Sequence, residues 1–203
     1  MHAEAEAHLS RNCAVMRRLI RAHGPCELVA QRRSPYEALV SAVAHQQLHA
    51  KAAEAILRRF RALFPKVRFP RPGHVVDASD AALRDAGFST GKILAIRDIA
   101  EKTLGGHVPT RAAALKLGDE ELIGRLTEVR GVGRWTVEML LIFTLGRMDV
   151  FPSDDFGVRS GWRIAMKLAE LPKPKALREI AARWQPHRTL AAWYLWRAAD
   201  AGK

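Results

Sequence analysis

The stretch LTEVRGVGRWTVEMLLIFTLGRMDVFPSDDFGVR, Leu126 to Arg159, decides the fold. It reads as a helix end, a Gly-Val-Gly turn, a second helix, a short loop with a proline, and two aspartates opening a third helix. Gly131 and Gly133 are residues that can take backbone angles closed to others. Neither carries a side chain that would keep an anion from the N–H groups opening the next helix. The helix predicted from Arg134 to Leu145 carries the chain to Asp154 and Asp155. An anion grip and a carboxylate thus sit on one short, rigid unit.

Outward from that unit the periodicity is helical almost everywhere. Residues 2 to 23 read as one Ala-rich helix, stopped by Gly24-Pro25. Ser34-Pro35-Tyr36-Glu37 is a capping box with proline at the first helical position, opening a helix to about Ala44. His45 to His49 is polar where a helix would continue apolar, so it reads as a loop. A helix resumes at Ala50, with Ile56, Leu57, Phe60 and Leu63 inward and arginines outward. Pro65 to Pro72 reads as a connector. Asp77-Ala78-Ser79-Asp80 caps a short helix ending at Gly87, and Ser89 starts another, ended by Gly105-Gly106. Short helices are predicted over Pro109 to Leu117 and Asp119 to Leu126. After the aspartates come helices over Phe156 to Leu168, Lys175 to Ala182 and Pro186 to Ala199. No strand is expected. The fold class is all-α: two helical lobes with the active cleft between them.

Composition narrows the function. The 203 residues carry a net charge of +12, which favours an anionic partner, nucleic acid first. Two cysteines exclude a four-cysteine zinc or iron–sulfur site and a disulfide framework. The N-terminal MHAEAEAHLSRN is polar and does not read as a signal peptide. The longest apolar run, Met139 to Phe143, is too short to cross a membrane. The expected setting is cytoplasmic and nucleoid-associated, or nuclear in a eukaryote.

Four features carry chemistry. A Gly-Val-Gly turn between helices is by itself only a turn. In this context it fits a helix-hairpin-helix element, which holds a nucleic-acid backbone through Gly131, Gly133 and Arg134. Asp154 and Asp155 point about 100° apart on a helix, so they divide their work: one caps, the other faces outward. The helix dipole favours the anion there, and a fixed anion suits a reaction that makes a cationic sugar. Taken alone, the pair is better read as two capping aspartates. The five tryptophans all lie in the second half. They read as core, or as flat walls for an extruded base. Gln47, Leu48 and His49 read as a helix connection, or as a wedge entering a nucleic-acid groove.

Together these residues resemble the helix-hairpin-helix DNA glycosylase superfamily, most of all its 3-methyladenine DNA glycosylase II type. The segments that carry the resemblance are HQQLHAKAA (His45 to Ala53), GVGRWTVE (Gly131 to Glu138), DVFPSDD (Asp149 to Asp155) and WQPHRTLAAWYLW (Trp184 to Trp196). The resemblance implies that Asp155 is catalytic, that Asp154 is structural, and that Trp135 and Trp196 line the base pocket. Met139 stands at a pocket position that is often aromatic in relatives. Gln47 falls at the wedge position, with Leu48 beside it. A weakly bound cation at the hairpin, on the carbonyls of Thr127, Val129 and Val132, is implied in the same way.

Trp135 is the most informative of these positions. Bifunctional relatives such as endonuclease III carry a lysine there, which attacks the sugar. An indole offers no amine nucleophile, and no lysine lies between Gly131 and Leu145. The resemblance therefore implies a monofunctional hydrolase with no lyase step. It would remove 3-methyladenine and 7-methylguanine from double-stranded DNA, as a monomer with no organic cofactor and no iron–sulfur cluster. Residues 1–203 would form one helical unit, with the hairpin and catalytic loop at about 120–160 and no N-terminal β-domain. A glycosylase for another lesion and a non-catalytic DNA-binding module remain as alternatives.

Overall fold

Serine caps set much of the helical frame. Ser34 Oγ accepts the Glu37 N–H at 3.1 Å, Ser79 Oγ that of Ala82 at 3.2 Å, and Ser89 Oγ that of Lys92 at 3.4 Å. Each satisfies an amide that the first helical turn leaves orphaned. The computed structural model describes residues 2–202. In chain order the helices are α1 (Ala3–Asn12), α2 (Ala14–His23), α3 (Pro35–His45), α4 (Ala50–Ala62), α5 (Pro72–Asp77), α6 (Asp80–Asp85) and α7 (Thr90–Leu104). There follow α8 (Arg111–Ala114), α9 (Asp119–Thr127), α10 (Arg134–Leu140), α11 (Phe156–Met166), α12 (Pro174–Ala181) and α13 (Arg188–Ala201). A π-helical turn, Leu141–Leu145, follows α10, and a 3₁₀ turn, Ala182–Trp184, follows α12. No strand occurs among the described residues.

Three expectations change. The first helix breaks at Cys13, whose backbone is extended (φ −151°, ψ 115°). No glycine or proline announces the break. It lets α1 and α2 each meet α13, so packing overrides local propensity. Pro72 does not end a connector but opens α5, at the first helical position that proline tolerates. The long helix after the hairpin is α-helical only to Leu140. Its wider last turn leaves the Phe143 carbonyl to accept the Gln31 N–H at 2.7 Å.

The chain divides into two compact units, Met1–Gln31 with Leu141–Lys203, and Arg32–Leu140. In the second, α3, α5 and α6 all pack on α7. Its interior is built of Leu39, Val40, Val43, Leu57, Phe60, Ile93, Ile96, Ile99, Leu122 and Leu126, all essentially inaccessible to solvent. Burying each such aliphatic side chain contributes about 1.5–3 kcal/mol. Phe60 meets Phe64, Phe69 and Phe88 edge to face, the favoured aromatic geometry.

The first unit is organised by α11 against α13. Gly161 makes their close crossing possible: a Cβ there would lie 1.9 Å from the Leu195 carbonyl oxygen. Behind the crossing, Trp184 is fully buried between Phe151 and Trp162, with both ring centroids at 5.5 Å. Leu9, Met16, Leu177 and Tyr194 complete this core. The crossing matters because α11 starts at Asp155 and α13 carries Trp196.

Candidate active site

In the second unit the hairpin joins α9 to α10. Val129 N–H bonds to the Leu126 carbonyl at 3.1 Å, and Val132 N–H to that of Val129 at 3.0 Å. Val129 and Val132 point inward, while Gly131 and Gly133 are exposed. Gly131 has φ +75°, a conformation L side chains rarely adopt, and a Cβ there would also press on Ala95 Cβ at 3.2 Å. Gly133 differs from expectation. Its φ is not positive, and only open space surrounds its missing Cβ. Its contribution is bareness rather than backbone freedom. Val137 N–H bonds to the Gly133 carbonyl at 3.2 Å, closing the first turn of α10 directly after the glycine.

Side chains from α7 hold this turn. Asp98 Oδ2 accepts the Arg130 N–H at 2.7 Å, and Lys102 Nζ donates to both Asp98 Oδ2 at 3.0 Å and the Glu128 carbonyl at 2.6 Å. Partial burial alone would raise the Asp98 carboxyl, but the Arg130 amide and the Lys102 ammonium hold it below the ordinary carboxylate range. Arg134 is tied up within the unit. Its guanidinium meets Glu120 through two nitrogens and Glu138 Oε1 at 3.1 Å. These bonds, the Glu120 pair first, raise its affinity for the proton despite burial. The side chain thus braces α9 to α10.

Trp135 is 48% exposed, and with Met139 it forms one face of α10. The pair lines a hollow of about 420 Å³ together with His45, Gln46 and Gln47. Leu48 and His49 are exposed on the loop after α3. Gln47 has φ +58°. No group of three or more His, Cys, Asp or Glu side chains able to hold a metal occurs among the described residues.

In the first unit the loop before α11 is fastened to α13. Arg188 grips both carboxylate oxygens of Asp149, at 2.8 and 2.9 Å. Thr189 Oγ1 accepts the Val150 N–H at 3.0 Å and donates to the Arg147 carbonyl at 2.8 Å. At the end of this loop Asp155 caps α11. Its Oδ1 accepts the Val158 N–H and the Trp196 Nε1–H, each at 2.8 Å. This corrects the expected division of work. Asp154 is exposed, and it is Asp155 that caps while also meeting the indole. Adjacent aspartates look alike in sequence, and only the register of α11 separates them.

Reading the sequence alone missed three residues around this carboxylate. Phe143 stacks on Trp196, with centroids 5.6 Å apart and planes 28° from parallel. Phe156, next to Asp155, is 69% exposed. Gly157 leaves room for the indole: a Cβ there would lie 2.8 Å from Trp196 Cδ1. Phe143, Phe156, Gly157, Trp193 and Trp196 border a hollow of about 510 Å³. Asp155 itself is half-buried, so the carboxylate is not sealed inside. A glycine beside a helix-opening aspartate was the one available signal, and it lacked meaning without its partner on α13.

The model of the HhH-GPD superfamily of base excision DNA repair proteins matches residues 40–187. The chain belongs to that superfamily. Among relatives of this HhH-GPD chain, DNA-3-methyladenine glycosylase 1 of Schizosaccharomyces pombe is 43% identical over 198 residues, covering 97% of this chain and 87% of that one. A solved structure of the fission-yeast 3-methyladenine DNA glycosylase in complex with abasic DNA superposes with a TM-score of 0.87 at 43% identity, over 96% of this chain and 95% of that one. The DNA-3-methyladenine glycosidase of Bacillus halodurans gives 0.85 at 32% identity, over 95% and 87%. The HhH-GPD chain therefore has the all-helical architecture of these enzymes. No helix among its described residues is long and apolar enough to cross a membrane.

Proposed function

We propose that this protein is a monofunctional DNA glycosylase that releases alkylated purines, 3-methyladenine and 7-methylguanine, from duplex DNA and leaves an abasic site. The observation that carries the reading is the Asp155 carboxylate, anchored on Oδ1 by a helix amide and by the indole N–H of Trp196, a residue that with Phe156 and Gly157 borders an aromatic hollow. The relatives named for 3-methyladenine support the substrate class.

The C1′–N bond breaks with its electron pair going to the base, which alkylation has already made a good leaving group. The sugar becomes an oxocarbenium-like cation. Asp155 stabilises it, with a charge placed before the reaction begins. Water adds to C1′ and gives up its proton, so base, abasic sugar and charge all balance. Trp196 in one unit, and Trp135 with Met139 beside it in the other, each carry an indole face of the kind that attracts a cationic purine. Amides at Gly131, Gly133 and Arg134 take phosphate oxygens. Gln47 and Leu48 fill the vacated stack, with His49 at the groove. The carbonyls of Thr127, Val129 and Val132 are neutral oxygens, and that of Val129 has one lone pair beyond its bond to Val132. They suit a weakly held monovalent cation, which would add positive charge toward the phosphate. The protein acts as a monomer on this reading, and its affinity falls steeply with salt.

The test is a panel of duplexes carrying alkylated, oxidised or deaminated bases. Alkylated purines should be liberated, strands should stay whole until alkali is added, and borohydride should trap no covalent complex. Release confined to an oxidised base or uracil would move the assignment to another lesion. DNA binding with no release from any duplex would leave a binding module.

A further inference from the structure

Gln46 stands where α3 gives way to the loop that carries Gln47 and Leu48. Its own N–H still bonds to the carbonyls of Ala42 and Val43, at 3.2 and 3.3 Å, so its main chain is fixed. Its side chain leaves the loop altogether. Nε2 donates to the Gly131 carbonyl at 2.8 Å, across a sequence separation of 85 residues. A carbonyl only accepts, so the amide nitrogen must face the turn. The next residue, Gln47, has φ +58°. A non-glycine residue persists in that conformation only when its surroundings hold it there. Behind both segments runs α7, whose Lys92 donates to the Ala44 carbonyl at 2.9 Å and whose Asp98 and Lys102 hold the turn. Of these side chains, Gln46 alone runs directly from loop to turn.

We propose that Gln46 is a positioning residue for base extrusion: by donating to the Gly131 carbonyl it locks the stack-filling loop to the phosphate-gripping turn. Phosphate capture and insertion of Gln47 and Leu48 then occur as one rigid placement, not as two independent fits. The role assigned to Gln46 runs through its bond to the Gly131 carbonyl. The proposal rests on the glycosylase reading above, but the linkage itself is a property of the free protein.

Two variants separate the donor from the bulk of the side chain. Gln46→Met keeps the length and loses the donor, whereas Gln46→Lys keeps a donor of sufficient reach. The substrate is a duplex with a single 7-methylguanine and a neighbouring 2-aminopurine, whose fluorescence rises on unstacking. Gln46→Met should lower the single-turnover release rate and the fluorescence step about three- to tenfold, the scale of one net hydrogen bond. Its affinity for undamaged duplex should stay within about twofold, and Gln46→Lys should recover the release rate and the fluorescence step. A Gln46→Met variant that releases base at the wild-type rate overturns the proposal. So does one whose undamaged-duplex affinity falls in step with the rate. Hydrogen exchange on the free protein reads the linkage without any chemistry. The Leu48 amide, bonded to the His45 carbonyl at 3.2 Å, should exchange faster in Gln46→Met, while the Arg130 amide held by Asp98 should not change. Unaltered exchange at Leu48 defeats the linkage. A wild-type protein that releases no base defeats the glycosylase reading instead.

Discussion

Gly161→Ala is the substitution with the sharpest expected effect. The added Cβ would sit 1.9 Å from the Leu195 carbonyl oxygen, 2.6 Å from its carbon and 2.9 Å from its Cα. All three are backbone atoms of α13, so no side chain can rotate away. Relief requires α11 and α13 to part by about an ångström, since real contacts of this kind stay above about 3 Å. Overpacking in a dense core costs about 1–3 kcal/mol, and a clash with backbone belongs at the upper end. At about 2–4 °C per kcal/mol for a chain of this length, the melting midpoint should fall by roughly 6–12 °C. The same separation acts on the site, because Asp155 opens α11 and Trp196 lies on α13. Their 2.8 Å bond would stretch past useful hydrogen-bond range. A misplacement of that size costs about a hundredfold in rate. Melting followed by circular dichroism, and single-turnover base release measured below both midpoints, check the two effects. A midpoint within about 1 °C of wild type would refute the close crossing.

Gly124→Ala is the converse: the position is exposed in α9 with nothing within 4 Å of a new Cβ. It should stabilise by about 0.5–1 kcal/mol, visible as a higher denaturant midpoint. Trp196→Phe keeps an aromatic face but removes the N–H that meets Asp155. Release should slow by at least about tenfold, with little change in affinity for undamaged duplex. Gly157→Ala should push the indole aside and lower the rate of release in the same assay, with the melting midpoint little moved. Asp98→Asn weakens the charged bonds to Arg130 and Lys102, about 1.5–3 kcal/mol for such a contact. Because the folded carboxyl lies below its unfolded value, its contribution is present above about pH 4 and is lost as pH falls through the folded value. The gap in stability between wild type and Asp98→Asn should therefore be full at pH 7 and close in stronger acid, as melting across that range would record.

The hairpin was legible because its signals are local: a leucine-bearing helix, two glycines with one residue between them, and a helix opening. The serine caps were legible for the same reason. What escaped depends on distant partners. Trp196 reaches Asp155 across 41 residues, and nothing in DDFG alone says which carboxylate the indole meets. Arg134 reads in the sequence as a contact to the nucleic-acid backbone, and nothing local says that Glu120, fourteen residues earlier, holds its guanidinium. The break at Cys13 serves packing on α13 and has no local cause. Phe143 reaches Trp196 from a π-helical turn that a 3.6-residue period does not describe.

The most direct test compares wild type with Asp155→Asn on a duplex holding one 7-methylguanine, under single turnover. Asparagine keeps an oxygen to cap α11, so fold and DNA affinity should survive while release falls about 10²- to 10⁴-fold. Release by Asp155→Asn at the wild-type rate would contradict the account.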